Sequence, residues 1–240
     1  MIKSSLKRDS YTGKLKQFNN CIDAGIVTIG TVSDYIFRVN SDNIILDGTR
    51  VMQMTNVGTN GINLIQYTTA YQPLIVSNEA NGHSAIAIDA IDDMMTCTQF
   101  SLAGDFTQFY VYKQVTLPGK ITFFNNNIYE STMYAYDGLF YINYGPGNFR
   151  EWVGMSGSTD YVVLMVKRVS SSHYAYINNV LVSSVLGFGT GVYDINTAFY
   201  QSSFKNTSTL YLLDATMFNY ALTTQQGTDF YQLLKNTYGL

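Results

Sequence analysis

Charge is scarce in this chain. Of its 240 residues only 13% are Asp, Glu, Lys or Arg, about half the usual share. Glutamate is nearly missing, with Glu79, Glu130 and Glu151 the only three. There are three prolines, two cysteines, two histidines and one tryptophan. Each shortage excludes something. No apolar run approaches about 18 residues, so no helical membrane span is expected. Cys21 and Cys97 stand alone without metal-ligand spacing. They read as free thiols of a chain made in a reducing cytoplasm, or as one disulfide. Residues 1–20 hold no continuous apolar core, so no signal peptide is expected. The pI is near 5.2 and Lys and Arg do not cluster beyond the first twenty residues, which argues against nucleic acid as a partner.

What is abundant fits a folded β protein. Aromatics reach 15% and hydrophobic residues 46%, with a net charge of −3, a composition that argues against disorder. A chain of this length buries roughly 70–75% of its unfolded surface and can fold as one β-sandwich. With charge so low, Asn, Ser, Thr, Gln, Gly and Tyr must cover the surface. The charge is also uneven. Lys3, Lys7, Arg8, Lys14 and Lys16 face a single carboxylate, Asp9, in the first twenty residues. Two readings stand for this segment: a solvated start, or a basic arm that docks on an acidic partner.

Short β-rich runs recur along the chain. They include 26–29, 34–39, 85–89, 106–113, 121–124, 138–144 and 209–218. Residues 161–168, Tyr-Val-Val-Leu-Met-Val-Lys-Arg, are apolar on both strand faces, which predicts a central strand covered on both sides. Residues 174–177 and 180–182 flank Asn178-Asn179, and Asn tolerates positive φ, so a tight hairpin is predicted there. One helix is expected near the end. Thr223 and Gln226 have capping-box spacing, Phe230, Leu233 and Leu234 share a face, and Gly239 suits the stop. Gly227 weakens that helix by about 1 kcal/mol relative to Ala. Many strands with one terminal helix mean a sandwich or barrel.

Several stretches, in order, resemble the concanavalin A-like lectin and laminin G-like superfamily, as found in bacterial surface proteins and phage particles. Residues 46–56, Leu-Asp-Gly-Thr-Arg-Val-Met-Gln-Met-Thr-Asn, are similar to its opening strand. Gln72-Pro73, residues 81–89 with Asp92-Asp93, and Gly104 to Thr107 follow the family order, as do residues 174–182 and the ending from Ala215 to Leu240. Met54 replaces the usual Trp, and Asn179 the usual Gly. The resemblance implies an all-β jelly-roll sandwich of two antiparallel sheets over residues 44–240, with one short C-terminal helix, preceded by an arm and a first strand in 1–43.

Glycosidases of this fold carry Glu-x-Asp-x-Glu on one strand, which sets two carboxylates on one face. No Glu here has a carboxylate two residues away, so no catalytic residues are expected. His83 and His173 lack a nucleophile motif and read as solvated loop histidines. The glycine-rich stretch 187–191 lacks the lysine of a phosphate loop and reads as a flexible loop. No cofactor is expected, except that Asp89, Asp92 and Asp93 either form a polar turn or hold calcium, as related jelly rolls do near the sheet rim. Residues 123–152 concentrate aromatics and Asn. There Tyr134, Tyr136, Tyr144, Asn148 and Trp152 are candidate ligand-binding residues, since aromatic faces stack on sugars and amides bond hydroxyls; core packing is the first reading for any one of them, a protein interface the second and glycan contact the third. The expectation is a non-catalytic structural component of a phage virion: a capsid decoration, head fibre or tail-fibre protein. It would be made in the host cytoplasm, oligomerise or repeat on a lattice with other virion proteins, and contact host surface glycans. The alternative is a free-standing carbohydrate-binding protein, and a third is a glycosidase.

Overall fold

The computed structural model describes residues 35–89, 92–115, 121–125, 131–136, 139–144, 149–154, 160–185, 191–199 and 209–240. The strands are β1 (Phe37–Asn40), β2 (Ile44–Asp47), β3 (Arg50–Met54), β4 (Leu64–Ile65), β5 (Leu74–Ala80), β6 (His83–Ile88), β7 (Met95–Leu102), β8 (Phe106–Gln114) and β9 (Ile121–Asn125). They continue with β10 (Ser131–Tyr136), β11 (Leu139–Tyr144), β12 (Phe149–Gly154), β13 (Val162–Val169), β14 (Ser172–Ile177), β15 (Val180–Val185), β16 (Tyr193–Ala198) and β17 (Leu210–Phe218). A helix, α1 (Thr224–Tyr238), closes the chain.

The antiparallel ladders sort into two sheets. The front sheet runs β15-β14-β13-β8-β17. The far edge of β17 is shared by β6, at Leu210 to Leu212, and β1, at Asp214 to Met217, and β5 flanks β6. The back sheet runs β2-β3-β4-β7-β16-β9-β10-β11-β12. Among the described residues one rung, Arg50 opposite Leu74, joins the two. This is the expected two-sheet sandwich with a terminal helix.

Period-two alternation explains how the front sheet is covered on both sides. On β8, Phe106, Tyr110 and Tyr112 enter the inter-sheet core, while Phe109 and Val111 point the other way. On β13, Leu164 and Val166 face in, and Val163 and Met165 face out. The outward set packs beneath α1, against Phe230, Leu234 and Tyr238. The doubly apolar run at 161–168 is therefore a central strand between the sandwich core and the helix. On β17 the alternation slips at a bulge between Leu212 and Asp214. Leu213 joins the helix-side layer while Leu212 and Ala215 stay inside.

The helix follows its sequence signals. The Thr223 hydroxyl accepts the Gln226 amide N–H, and the Gln226 side chain accepts that of Thr223, at 3.2 and 2.9 Å. Gly239 ends it at φ 68°. Gly227 has a packing reason: a Cβ there would lie 3.1 Å from the Met165 sulfur, so its absence lets the helix approach β13. The Asn178-Asn179 turn has φ of 49° and 66° at its two residues, the left-handed pair of a type I′ hairpin. The expected opening strand at 46–56 is corrected. It is two strands, β2 and β3, folded back at Gly48 (φ 64°).

Candidate functional site

Asp89, Asp92 and Asp93 lie between β6 and β7. Neighbours on a strand would diverge, but Asp92 and Asp93 are not in a strand, and one carboxylate oxygen from each of the three residues lies within 4.8 Å of the others. Asp93 is 6% exposed, and its Oδ2 accepts the Asp89 N–H at 2.8 Å. Burial pushes its carboxyl up to about 7; the charges of Asp89 and Asp92 add to the rise, and Arg50 opposes it. Clustered hard oxygens with a costly unneutralised charge suit a divalent cation such as calcium. These three would hold it, with the remaining ligands from carbonyls or water. Calcium at 100 times its Kd is then expected to stabilise the fold by about 2.7 kcal/mol. A thermal melt at pH 8 should show the rise for the native chain and lose it in Asp93→Asn.

A second feature is tied to the same rim. The 66–72 turn is stitched to Met94, the residue after Asp93. Met94 donates its N–H to the Tyr71 carbonyl at 2.9 Å, and Gln66 Nε2 donates to the Met94 carbonyl at 2.9 Å. Arg50 Nη1 donates to the Gln72 carbonyl at 2.8 Å, and Thr69 Oγ1 donates to Asp47 at 3.2 Å. On this fixed turn Tyr67 is 80% exposed and Tyr71 43%. Aromatic surface, carboxylates and one guanidinium thus share one end of the sandwich. Sequence reasoning missed both tyrosines. They lie outside the aromatic-rich stretch, and only the tertiary tie to Met94 brings them near the aspartates.

Of the earlier candidates, Tyr134 and Tyr136 fall on β10, Tyr144 on β11 and Trp152 on β12, adjacent strands at one side of the back sheet. Tyr134 lies opposite Tyr141, and Tyr144 opposite Ser131. The β11–β12 ladder carries an extra residue on β12 between Glu151 and Gly154, the stretch that contains Trp152. Asn148 and the cations Lys3, Lys7, Arg8, Lys14 and Lys16 lie outside the described residues, as do the strand expected at 26–29 and most of the 187–191 loop.

Both histidines differ from expectation. His83 opens β6; its Nδ1 lies 2.8 Å from Asp42 Oδ2, and its ring meets Tyr238 edge-on at 5.0 Å. His173 is on β14 and 7% exposed. Burial, then the charge of Arg168, holds its pKa at about 4 rather than 6.5. The neutral ring is the folded form, so its contribution is present above pH 6.5 and lost as pH falls toward 4. That loss is about 3 kcal/mol. Asp93, whose carboxyl is raised, shifts stability the other way over the same range, so urea titrations at pH 7 and pH 4 should show the loss as the native chain falling about 3 kcal/mol relative to His173→Gln. Glu79 is committed to an ion pair with Lys113, whose ammonium lies 4.9 Å from the ring centroids of Tyr161 and Tyr211. Cys97 is a free thiol whose pKa burial pushes up to about 12, which keeps it protonated and unreactive.

No protein-family model matches the chain, and no curated protein does. Solved structures do match. The binding domain of Paraclostridial Mosquitocidal Protein 1 superposes with a TM-score of 0.63 at 13% identity, over 87% of this chain and 53% of that one. The botulinum neurotoxin serotype D ligand binding domain, in complex with N-acetylneuraminic acid, gives 0.58 at 10% identity, over 84% and 51%. The Trypanosoma rangeli sialidase, bound to a difluoro-KDN, gives 0.59 at 9% identity, over 87% and 33%. The chain spans about half of each toxin domain and a third of the sialidase. The likeness establishes a β-sandwich shared with parts of longer chains.

Proposed function

We propose that this chain is a non-catalytic recognition domain that takes glycans at the rim formed by the 66–72 turn and Asp89, Asp92 and Asp93. The carrying observation is the 80% exposed Tyr67 on a turn fixed beside the aspartates. Tyr67 and Tyr71 offer ring faces to the apolar side of a sugar. The carboxylates accept from hydroxyls, directly or through a bound cation. Two of the similar structures are complexes with acidic sugars, but about half of one protein and two thirds of the other have no counterpart here. With Asp47, Asp89, Asp92 and Asp93 set against Arg50, this rim favours neutral sugars with adjacent hydroxyls. A glycan array, with and without calcium, tests the reading. Tyr67→Ala and Tyr71→Ala are each expected to weaken a retained glycan about 5–10-fold. No retained glycan on the native chain, or binding untouched by both variants, would reject the site.

The wider role we propose is a structural one on a phage particle, as a capsid decoration, head fibre or tail fibre. Its support is the low charge, the Asn-, Ser-, Thr- and Tyr-rich composition and the cationic first twenty residues. Such a protein sediments with particles, whereas a free-standing lectin, the competing reading, stays in the supernatant.

A further inference from the structure

The end strand of the front sheet is β15, and among the described residues its ladder is with β14 alone. β12 comes close to it but shares no ladder rung with it among those residues. Native sheet edges are usually guarded by lysine, proline or an inward charge. This one carries none of them. From Val169 to Tyr193 the sequence contains no Asp, Glu, Lys or Arg, and no proline. Val180, Leu181 and Val182 follow one another on β15 at 64%, 50% and 40% exposure, so apolar side chains are exposed on both of its faces. That row lies on β15, at the opposite end of the front sheet from β5 and the Arg50–Leu74 rung of the candidate glycan rim.

We propose that β15 is a self-pairing edge: two copies of this chain join their front sheets by antiparallel addition of β15 to β15 about a two-fold axis. The choice of a second copy rests on self-complementarity. An isologous contact places each residue against another residue of the same strand. In the register centred between Val182 and Ser183, Leu181 faces Ser184 and Val182 faces Ser183 of the other copy. A strand without charge meets itself with no like-charge pair, although the whole chain carries a net −3. Among the described residues the outer edge of β15 has no ladder partner, so its N–H and C=O groups gain ladder hydrogen bonds in this contact. A basic or acidic partner would find no charge here to bind. The rim and this edge are separate surfaces, so the inference goes beyond the glycan reading and does not depend on it.

Sedimentation velocity on the full chain from 1 to 100 µM tests it, together with amide hydrogen exchange across residues 180–184. The native chain is expected to shift from monomer to dimer with concentration, and those amides to slow in step. Leu181→Lys and Val180→Glu should each return the monomer, with at least a tenfold weaker association, while melting within a few degrees of the native chain. Two variants keep the test valid if one misfolds. A native chain that is monomeric at 100 µM overturns the proposal, as does dimerisation unchanged in a folded variant or a dimer that leaves exchange at 180–184 untouched. Unchanged glycan binding in a monomeric variant would confirm that the two surfaces are separate.

Discussion

Asp214→Ala is expected to destabilise the fold by about 3–5 kcal/mol. Asp214 is fully buried on β17, and its Oδ2 accepts from Arg38 Nε at 3.0 Å, Arg38 Nη2 at 2.7 Å and the Tyr238 hydroxyl at 3.0 Å. Its Oδ1 accepts the Thr216 hydroxyl at 2.7 Å. One carboxylate therefore ties β1, β17 and the end of α1 together. Burial alone would lower the Arg38 pKa, but Asp214 outweighs it and the net direction is up. Removing the carboxylate leaves a largely buried guanidinium and the Thr216 hydroxyl without their acceptor, and the Tyr238 hydroxyl with only the Leu213 carbonyl at 3.4 Å; that desolvation cost dominates the effect. Urea unfolding monitored by far-ultraviolet circular dichroism measures it. The double variant Arg38→Met/Asp214→Leu should recover much of the loss, because an apolar pair replaces the whole ion pair rather than half of it. If the double variant is as unstable as Asp214→Ala, the orphaned charge is not the cause.

The fold was largely legible in the sequence where pattern and chemistry agreed. Residues 161–168 showed apolar character on both faces, and the structure supplies both covers, the sandwich core and α1. The capping box at Thr223 and the Asn178-Asn179 turn were readable because each motif satisfies its own backbone groups locally. Legibility failed where long-range contacts decide. His173 sits in a serine-rich stretch that looks like a turn, yet β13 and β15 pair with its strand and bury it. β7, Met95 to Leu102, is half Thr, Ser and Gln with few buried positions, so it lacks the alternation that marks a strand; its place comes from pairing with β4 and β16. The site was half legible. The three aspartates could be named from spacing, but their convergence needed a non-strand connection, and Tyr67 and Tyr71 became relevant only through the hydrogen bonds to Met94.

Phe230→Ala is expected to cost about 3–5 kcal/mol, comparable to losing the buried ion pair but by a different route. Phe230 is 1% exposed, and its ring lies 4.7 Å from that of Phe109 and 5.2 Å from that of Phe218. Those partners belong to β8 and β17, the central strands of the front sheet, so the ring is the main bolt between helix and sheet. The surroundings cannot close on the void. β8 and β17 are held by ladders on both sides, and the helix is pinned at its far end by Tyr238 on Asp214. A rigid cavity keeps nearly its full cost. Leu233→Ala, at a half-buried position on the same helix, should cost clearly less. Chemical denaturation gives both values, and hydrogen exchange separates local from global loss. If α1 alone loses protection in Phe230→Ala while β8 and β17 keep theirs, the helix is an added cover on an independent sandwich. If all three lose protection together, the helix-side layer is part of one cooperative core, and the outer face of the front sheet is structural, leaving the rim and the β15 edge as the surfaces for binding.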